Sequence, residues 1–286
     1  METILIATDF SQASHYALVY GVEMAMFLKA KVALLYVDQP IFSAAGLAPQ
    51  LTFEELQECY EARLNEEINQ LTNKGAVVIE AIYREGLPSE TINSEANKQK
   101  AKWIIAGMKG SGKTRRRFFG STTLSLSRNT EVPLILVPEK AGFTPPKTIA
   151  LASDFNDETD VNIIDPLEEF GIKCGSTMVV VRVIKKGMDD FLERLMRPTR
   201  IKWHCKNLHP SFAFLNDNDV AHAMNVFVQE HAVSIVAMIA QEHSIFEKIF
   251  AKSNIKEMMF STSVPLIILP ATKASAAQLM EEKVMM

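Results

Sequence analysis

Apolar and polar residues alternate in blocks along this chain, and the blocks change period. Short apolar runs occur at Thr3 to Thr8, Lys31 to Val37, Ala76 to Tyr83, Trp103 to Ala106 and Val132 to Val137. Each is too short for an independent helix, so each is predicted to be a strand. Between them the period lengthens. Ala17, Tyr20, Met24, Phe27 and Leu28 fall at helical spacing, Phe53 to Leu71 is a long charged amphipathic run, and Pro88-Ser89-Glu90 opens a further helix. Strands alternating with helices predict an α/β fold, a parallel sheet covered on both faces.

The pattern is written twice. TILIATDF (Thr3 to Phe10) returns as TIALASDF (Thr148 to Phe155), and VPLILVP (Val132 to Pro138) returns as VPLIILP (Val264 to Pro270). Ala101 to Pro138 lies against Val233 to Pro270 without a gap. Internal repetition on this scale means two copies of one unit. The predicted organisation is a first domain over 1–140, a second over 147–272 and a tail over 273–286, with AGFTPPK (Ala141 to Lys147) as linker. In the second copy Val161, Ile164, Leu167 and Phe170 mark the first helix, which Pro166 should kink or shorten. Pro198 to Pro210 has no readable period. Each closing strand, Val132 to Val137 and Val264 to Leu269, would be an apolar sheet edge if left alone. Covering both at once predicts that the two domains pack as a pseudo-twofold pair.

Composition narrows the class without naming a function. The chain has 286 residues, 48% hydrophobic and 22% charged, with net charge −4. That balance is ordinary for a soluble globular protein and gives no reason to expect nucleic acid as a general partner. Cys59, Cys174 and Cys205 are far apart without C-x-x-C spacing, which argues against a disulfide framework and fits a reducing cytoplasm. No basic segment leads into an apolar one at the start, so no secretory leader is expected. The longest apolar run, Val233 to Ala240 broken by Ser234, is too short to span a membrane.

Candidate chemistry is concentrated in GMKGSGKT, Gly107 to Thr114. The string satisfies G-x-x-x-x-G-K-[ST], the phosphate-binding P-loop. A P-loop, however, normally joins the first strand of its domain to a long helix, with an acidic residue on a later strand helping to hold magnesium. Here the motif follows the fourth predicted strand. Gly120 interrupts any helix within two turns, at a cost of roughly 1 kcal/mol. The only Walker-B-like run, Ile149 to Asp154, belongs to the second copy.

The glycines also count another way: Gly107, two residues, Gly110, nine residues, then Gly120-Ser121. This G-x2-G-x9-G-[ST] spacing resembles the ATP-binding motif of the universal stress protein family. Asp9 at the end of the first strand, Gly86-x-Pro88 before the third helix, and the closing VPLILVP extend the resemblance over nearly the whole chain as a tandem of two domains. It implies two open five-stranded parallel sheets, adenine nucleotide alpha hydrolase-like and Rossmann-like. It also implies ATP as cofactor, with magnesium as a further option, at Ala7, Thr8, Asp9, Val37, Gly107, Lys109, Gly110, Gly120, Ser121 and Thr122. The family places its matching Asp on the nucleoside and the position near Val37 on adenine.

Physical chemistry is compatible with those roles. Gly107 and Gly110 let backbone N–H groups approach phosphate without a Cβ in the way. Gly120-Ser121 begins a helix whose N-terminus favours anions, and the Ser121 and Thr122 hydroxyls can donate to phosphate. Asp9 lies where open α/β sheets bind ligands. Plainer readings remain beside these. Asp9 and Ser121 are also good helix caps. Lys109, Lys113, Arg115, Arg116 and Arg117 are either a solvated loop face or a counter-charge for polyphosphate.

The second copy has lost the loop. Gly107 becomes Ile239, Gly110 becomes Glu242 and Gly120 becomes Lys252, while Ser253 and Asp154 survive. A branched side chain and an anion oppose phosphate there, so this half is not expected to bind ATP. His243 with Asp154, and His204 with Cys205 and His209, have no recognisable catalytic or metal spacing, and no metal site is expected. Met24, Met26, Met258 and Met259 read as packing residues.

The favoured reading is a tandem ATP-binding regulator or sensor rather than an enzyme, with at most slow hydrolysis. A P-loop phosphotransferase using Lys113 and Thr114 is the enzymatic alternative. A nucleotide-free scaffold or small-ligand binding protein is the third. The expected partner is an adenine nucleotide, with no nucleic acid or membrane, and further homodimerisation stays open.

Overall fold

The computed structural model describes residues 1–39, 52–71, 77–108, 121–153, 161–184, 200–240 and 264–270. These fall into two compact units, the chain passing from one to the other between Thr144 and Pro145.

In the first unit the strands are β1 (Thr3–Thr8), β2 (Lys31–Asp38), β3 (Ile79–Glu85), β4 (Ala101–Gly107) and β5 (Leu134–Val137). They lie in the order β3-β2-β1-β4-β5, and every pairing is parallel. The helices are α1 (Gln12–Leu28), α2 (Phe53–Asn69), α3 (Pro88–Lys98) and α4 (Ser121–Asn129). Ile4, Leu5, Ile6, Leu34, Leu35, Ile104 and Ile105 are all buried, as expected of central strands covered on both faces. Burial of each such side chain stabilises the unit by roughly 1.5–3 kcal/mol. The chain runs from β1 outward through β2 to β3 on one side, then returns through α3 to place β4 on the other side of β1. The resulting crevice between β1 and β4 is where ligands of open α/β sheets bind.

Local chemistry starts and stops the helices where the sheet needs them. Ser11 caps α1, its Oγ accepting the Ser14 N–H at 3.3 Å, and Lys29 ends it in the left-handed region at φ 54°. Gly21 faces β1, where an added Cβ would lie 2.4 Å from the Ile6 Cδ1, so the helix can ride close to the sheet. Thr52 and Glu55 form a reciprocal capping box at the start of α2. Pro88 occupies the first turn of α3, where a missing N–H costs nothing.

The second unit repeats the layout with β6 (Thr148–Ala152), β7 (Thr177–Ile184), β8 (Ser211–Asn216), β9 (Ile235–Ala240) and β10 (Leu266–Pro270). Its order, β8-β7-β6-β9-β10, is that of the first unit, and again all pairings are parallel. The helices are α5 (Asp165–Cys174), α6 (Arg200–His204) and α7 (Val220–Glu230). Pro166 does not kink a helix here. It sits in the first turn of α5, preceded by a 3-10 turn at Val161–Ile164, and α5 has 10 residues against 17 in α1. The irregular stretch before Pro210 contains α6 and a second 3-10 turn, Lys206–Leu208, too short for any period to show. Among the described residues no helix is long and apolar enough to cross a membrane.

Phe27 and Met26 differ from expectation. Ala17, Tyr20 and Met24 are buried, but Phe27 is 41% and Met26 37% exposed. Phe27 has turned away from the sheet toward the linker. There Phe143 packs edge-on against Tyr20 at 5.3 Å between ring centroids and lies 5.8 Å from Phe27. The Phe143 N–H donates to Glu23 Oε2 at 2.9 Å. The end of the first unit is thus strapped to the outer side of α1. Aromatic pairs contribute about 0.5–1.5 kcal/mol each, so Phe143→Ala is expected to lower the stability of the first unit by about 1–2 kcal/mol. Urea denaturation checks this, and an unchanged midpoint would contradict it.

Candidate functional site

A cavity of about 240 Å³ lies at the carboxyl ends of β1, β2 and β4, roofed by the first turns of α1, α3 and α4. It occupies the crevice that the strand order creates. Ala7, Thr8, Asp9, Val37, Gly107, Ser121 and Thr122 all line it. They arrive from four separate elements, so the chain must fold before they meet. Lys109, Gly110 and Gly120 lie outside the described residues, as do Lys113, Thr114 and the arginines that follow.

Gly107 has a role that differs from the expected one. An added Cβ would lie 2.4 Å from the Ala13 carbonyl oxygen and 2.8 Å from the Ser14 nitrogen. The space a side chain would need is therefore filled by the backbone of α1. The glycine lets the first turn of α1 cross the end of β4, and so brings Ser11, Ala13 and Ser14 into the cavity wall. Spacing alone did not reveal those three residues, because the close approach is made between elements distant in sequence. Thr123 also lines the cavity; its hydroxyl lies 3.5 Å from the Gly107 carbonyl. Pro88, Ile92, Leu35 and Leu126 add an apolar side.

The turn after β1 aims its polar groups inward. Asp9 Oδ1 accepts the Ser11 N–H at 3.0 Å, while Ser11 rather than Asp9 caps the helix. Phe10 is held at φ 58°, a conformation that costs a non-glycine residue free energy. Its N–H donates to Thr8 Oγ1 at 3.0 Å, and its ring packs on Tyr36 at 4.7 Å under the Arg63 guanidinium. The Thr8 hydroxyl proton has two acceptors in reach, Ser14 Oγ at 3.1 Å and Glu67 Oε2 at 3.2 Å. Glu67 enters from α2. Burial pushes its carboxyl above the ordinary glutamate range, against the opposing pull of the Thr8 hydrogen bond, His15 and Arg63. Beside it Tyr36, Tyr60 and Tyr83 form an aromatic cluster, and burial raises the Tyr36 and Tyr83 phenols so that both stay neutral.

The equivalent region of the second unit is built differently. Ile239, buried at the end of β9, stands where Gly107 stands in β4. Its side chain needs the space that α1 backbone occupies in the first unit. There β1 ends at Thr8 and α1 begins at Gln12; in the second unit β6 ends at Ala152, and α5 begins at Asp165 after the 3-10 turn at Val161–Ile164. Asp154, Glu242, His243, Lys252 and Ser253 lie outside the described residues.

The only group of mixed metal-ligand side chains among the described residues is Asp165, Glu168 and His204, whose ligand atoms lie within 4.8 Å of one another. His204 Nε2 is 2.5 Å from Asp165 Oδ1, and the Asn207 amide donates to Glu168 at 3.3 Å. These contacts fasten α6 and the following turn onto α5. Cys205 is fully buried instead, with its thiol pushed up to about 12 by burial and the nearby carboxylates. The juxtaposition His204, Cys205 and His209 does not form such a group.

In this parallel α/β unit the cavity lies at the switch point, where open α/β sheets place their ligands. Residues 1–138 match the Universal stress protein family. Over 137 residues it is 26% identical to a universal stress protein of Methanocaldococcus jannaschii, covering 47% of this chain and 80% of that protein. The fold of a universal stress protein from Archaeoglobus fulgidus matches 94% of this chain and 98% of its own, with TM-score 0.69 at 16% identity. A functionally unknown protein from Pseudomonas aeruginosa PAO1 matches 99% and 98%, with TM-score 0.58 at 12% identity.

Gly107→Ala forces a methyl group onto the first turn of α1. Overpacking of this kind costs about 1–3 kcal/mol, and that loss of stability is expected in urea denaturation of the variant. The same substitution should shrink or close the cavity. Full stability in Gly107→Ala would contradict the close approach.

Proposed function

We propose that the first unit binds an adenine nucleotide, ATP, in this cavity, and that the protein acts as a ligand-binding regulator or sensor rather than a dedicated catalyst. The observation that carries the reading is the convergence of Asp9, Val37, Gly107, Ser121 and Thr122 on one cavity at the switch point. In the reading Val37 with Leu35 takes the base, and Asp9 accepts from ribose hydroxyls. The amino end of α4, with Ser121 and Thr122, takes phosphate through free amides and hydroxyls. The basic residues from Lys109 to Arg117 supply counter-charge. Ile239 and Glu242 keep phosphate out of the second unit, so the stoichiometry is one nucleotide per chain.

Isothermal titration with ATP tests this. One site is expected, and two equivalent sites would refute the role assigned to the second unit. Gly110→Glu is expected to weaken binding by about 1.5–3 kcal/mol, the cost of opposing a phosphate contact with an anion. Lys113→Ala separates this reading from a P-loop phosphotransferase. As one screened charge its loss should cost about 1 kcal/mol or less, whereas a P-loop lysine would be indispensable. Loss of binding in Lys113→Ala with retention in Gly120→Val would overturn the proposal, as would rapid phosphate release.

A further inference from the structure

The geometry points to Glu67 as a positioning residue that couples ligand binding in the first unit to uptake of a proton. The inference rests on the nucleotide reading above and concerns how that same site is regulated. Glu67 belongs to α2, which contributes nothing to the cavity wall, yet its carboxyl reaches the wall through Thr8. Thr8 is 7% exposed, and its hydroxyl is the joint of the turn. It accepts the Phe10 N–H and has a single proton to give to Glu67 or Ser14.

The charge on Glu67 decides where that proton goes. As a carboxylate, Glu67 is the stronger acceptor, and charge-assisted bonds are the stronger ones. The Thr8 O–H then points away from the cavity, and a negative charge sits behind its wall. As a carboxylic acid, Glu67 releases the Thr8 proton toward Ser14 and the cavity, and the charge is gone. Both changes favour an anionic ligand. By linkage the ligand must in turn favour the protonated acid.

Burial already raises the Glu67 carboxyl above its ordinary value of 4.5, and the negative charge of bound phosphate acts in the same direction. The charged neighbours are Asp9 at the end of β1, which raises it, and His15 on α1 and Arg63 on α2, which lower it. From β2 and β3, on which α2 packs, Asp38 and Glu85 are engaged by the hydroxyls of Tyr36 and Tyr83. Affinity is therefore highest below the carboxyl's value in the free protein. It falls as pH rises from there to the higher value in the complex, by up to about tenfold per pH unit, and then levels off.

Titration calorimetry with ATP, repeated in buffers of different ionisation enthalpy between pH 5 and 7, reads the protons taken up on binding. Up to about one proton per bound ATP is expected for the wild type beyond that taken up by Glu67→Gln. The variant should bind with a flatter pH profile, and His15→Gln, which removes a group that lowers the carboxyl, should keep a proton uptake displaced to higher pH. Equal uptake in the wild type and Glu67→Gln overturns this inference alone. ATP that binds at no pH overturns the nucleotide reading with it. Thr8→Val gives a second arm should Glu67→Gln fold poorly. Removing the hydrogen bond that lowers the carboxyl should move the affinity transition to higher pH, and an unmoved transition overturns the inference.

Discussion

The cavity of the first unit exists because two stretches of backbone come closer than any side chain allows. At Gly107 the end of β4 meets the Ala13 carbonyl of α1 where a Cβ would otherwise lie. That approach sets the first turn of α1 over the strand ends and turns Ser11 and Ser14 toward Thr8 and Asp9. The strained Phe10 is its consequence. The chain must reverse sharply between β1 and a helix that begins at Gln12, and the aromatic and cationic contacts of Phe10 offset the conformational cost. The glycine's first duty is therefore to packing, and the ligand-sized space follows from it.

The two units show what happens when that constraint is lifted. Both keep the same strand order, so the repeat preserves topology. In the second unit, where Ile239 takes the place of Gly107, α5 runs from Asp165 to Cys174 behind a 3-10 turn and carries Pro166 in its first turn. Topology depends on burying continuous apolar strands, which tolerates exchange among Val, Ile and Leu. A cavity depends on single positions where an added methyl group matters.

Much of the fold was legible from period alone. The bounds of β1 and the starts of α2 and α3 follow directly from the change between strand and helix patterning, and β2 extends only to Asp38. Phe27 was misread because an amphipathic stripe does not say which of its edge residues meets the sheet and which meets a linker aromatic. Pro166 shortens its helix without kinking it, because a proline inside an apparent helix can equally sit in the first turn. In the site, Asp9, Val37 and Gly107 were legible as strand-end residues. Ser14 and Glu67 were not, since nothing in their spacing shows that Thr8 lies between them.

The central claim is that the ligand-binding geometry belongs to the first unit and not to its repeat. Amide hydrogen exchange with and without ATP tests it most directly, because it reads both units in one experiment. The account predicts slowed exchange at Asp9 to Ser14 and at Ser121 to Thr123, with Ile235 to Ala240 unchanged. Protection confined to the second unit, or none in the turn between β1 and α1 at saturating ATP, would contradict it.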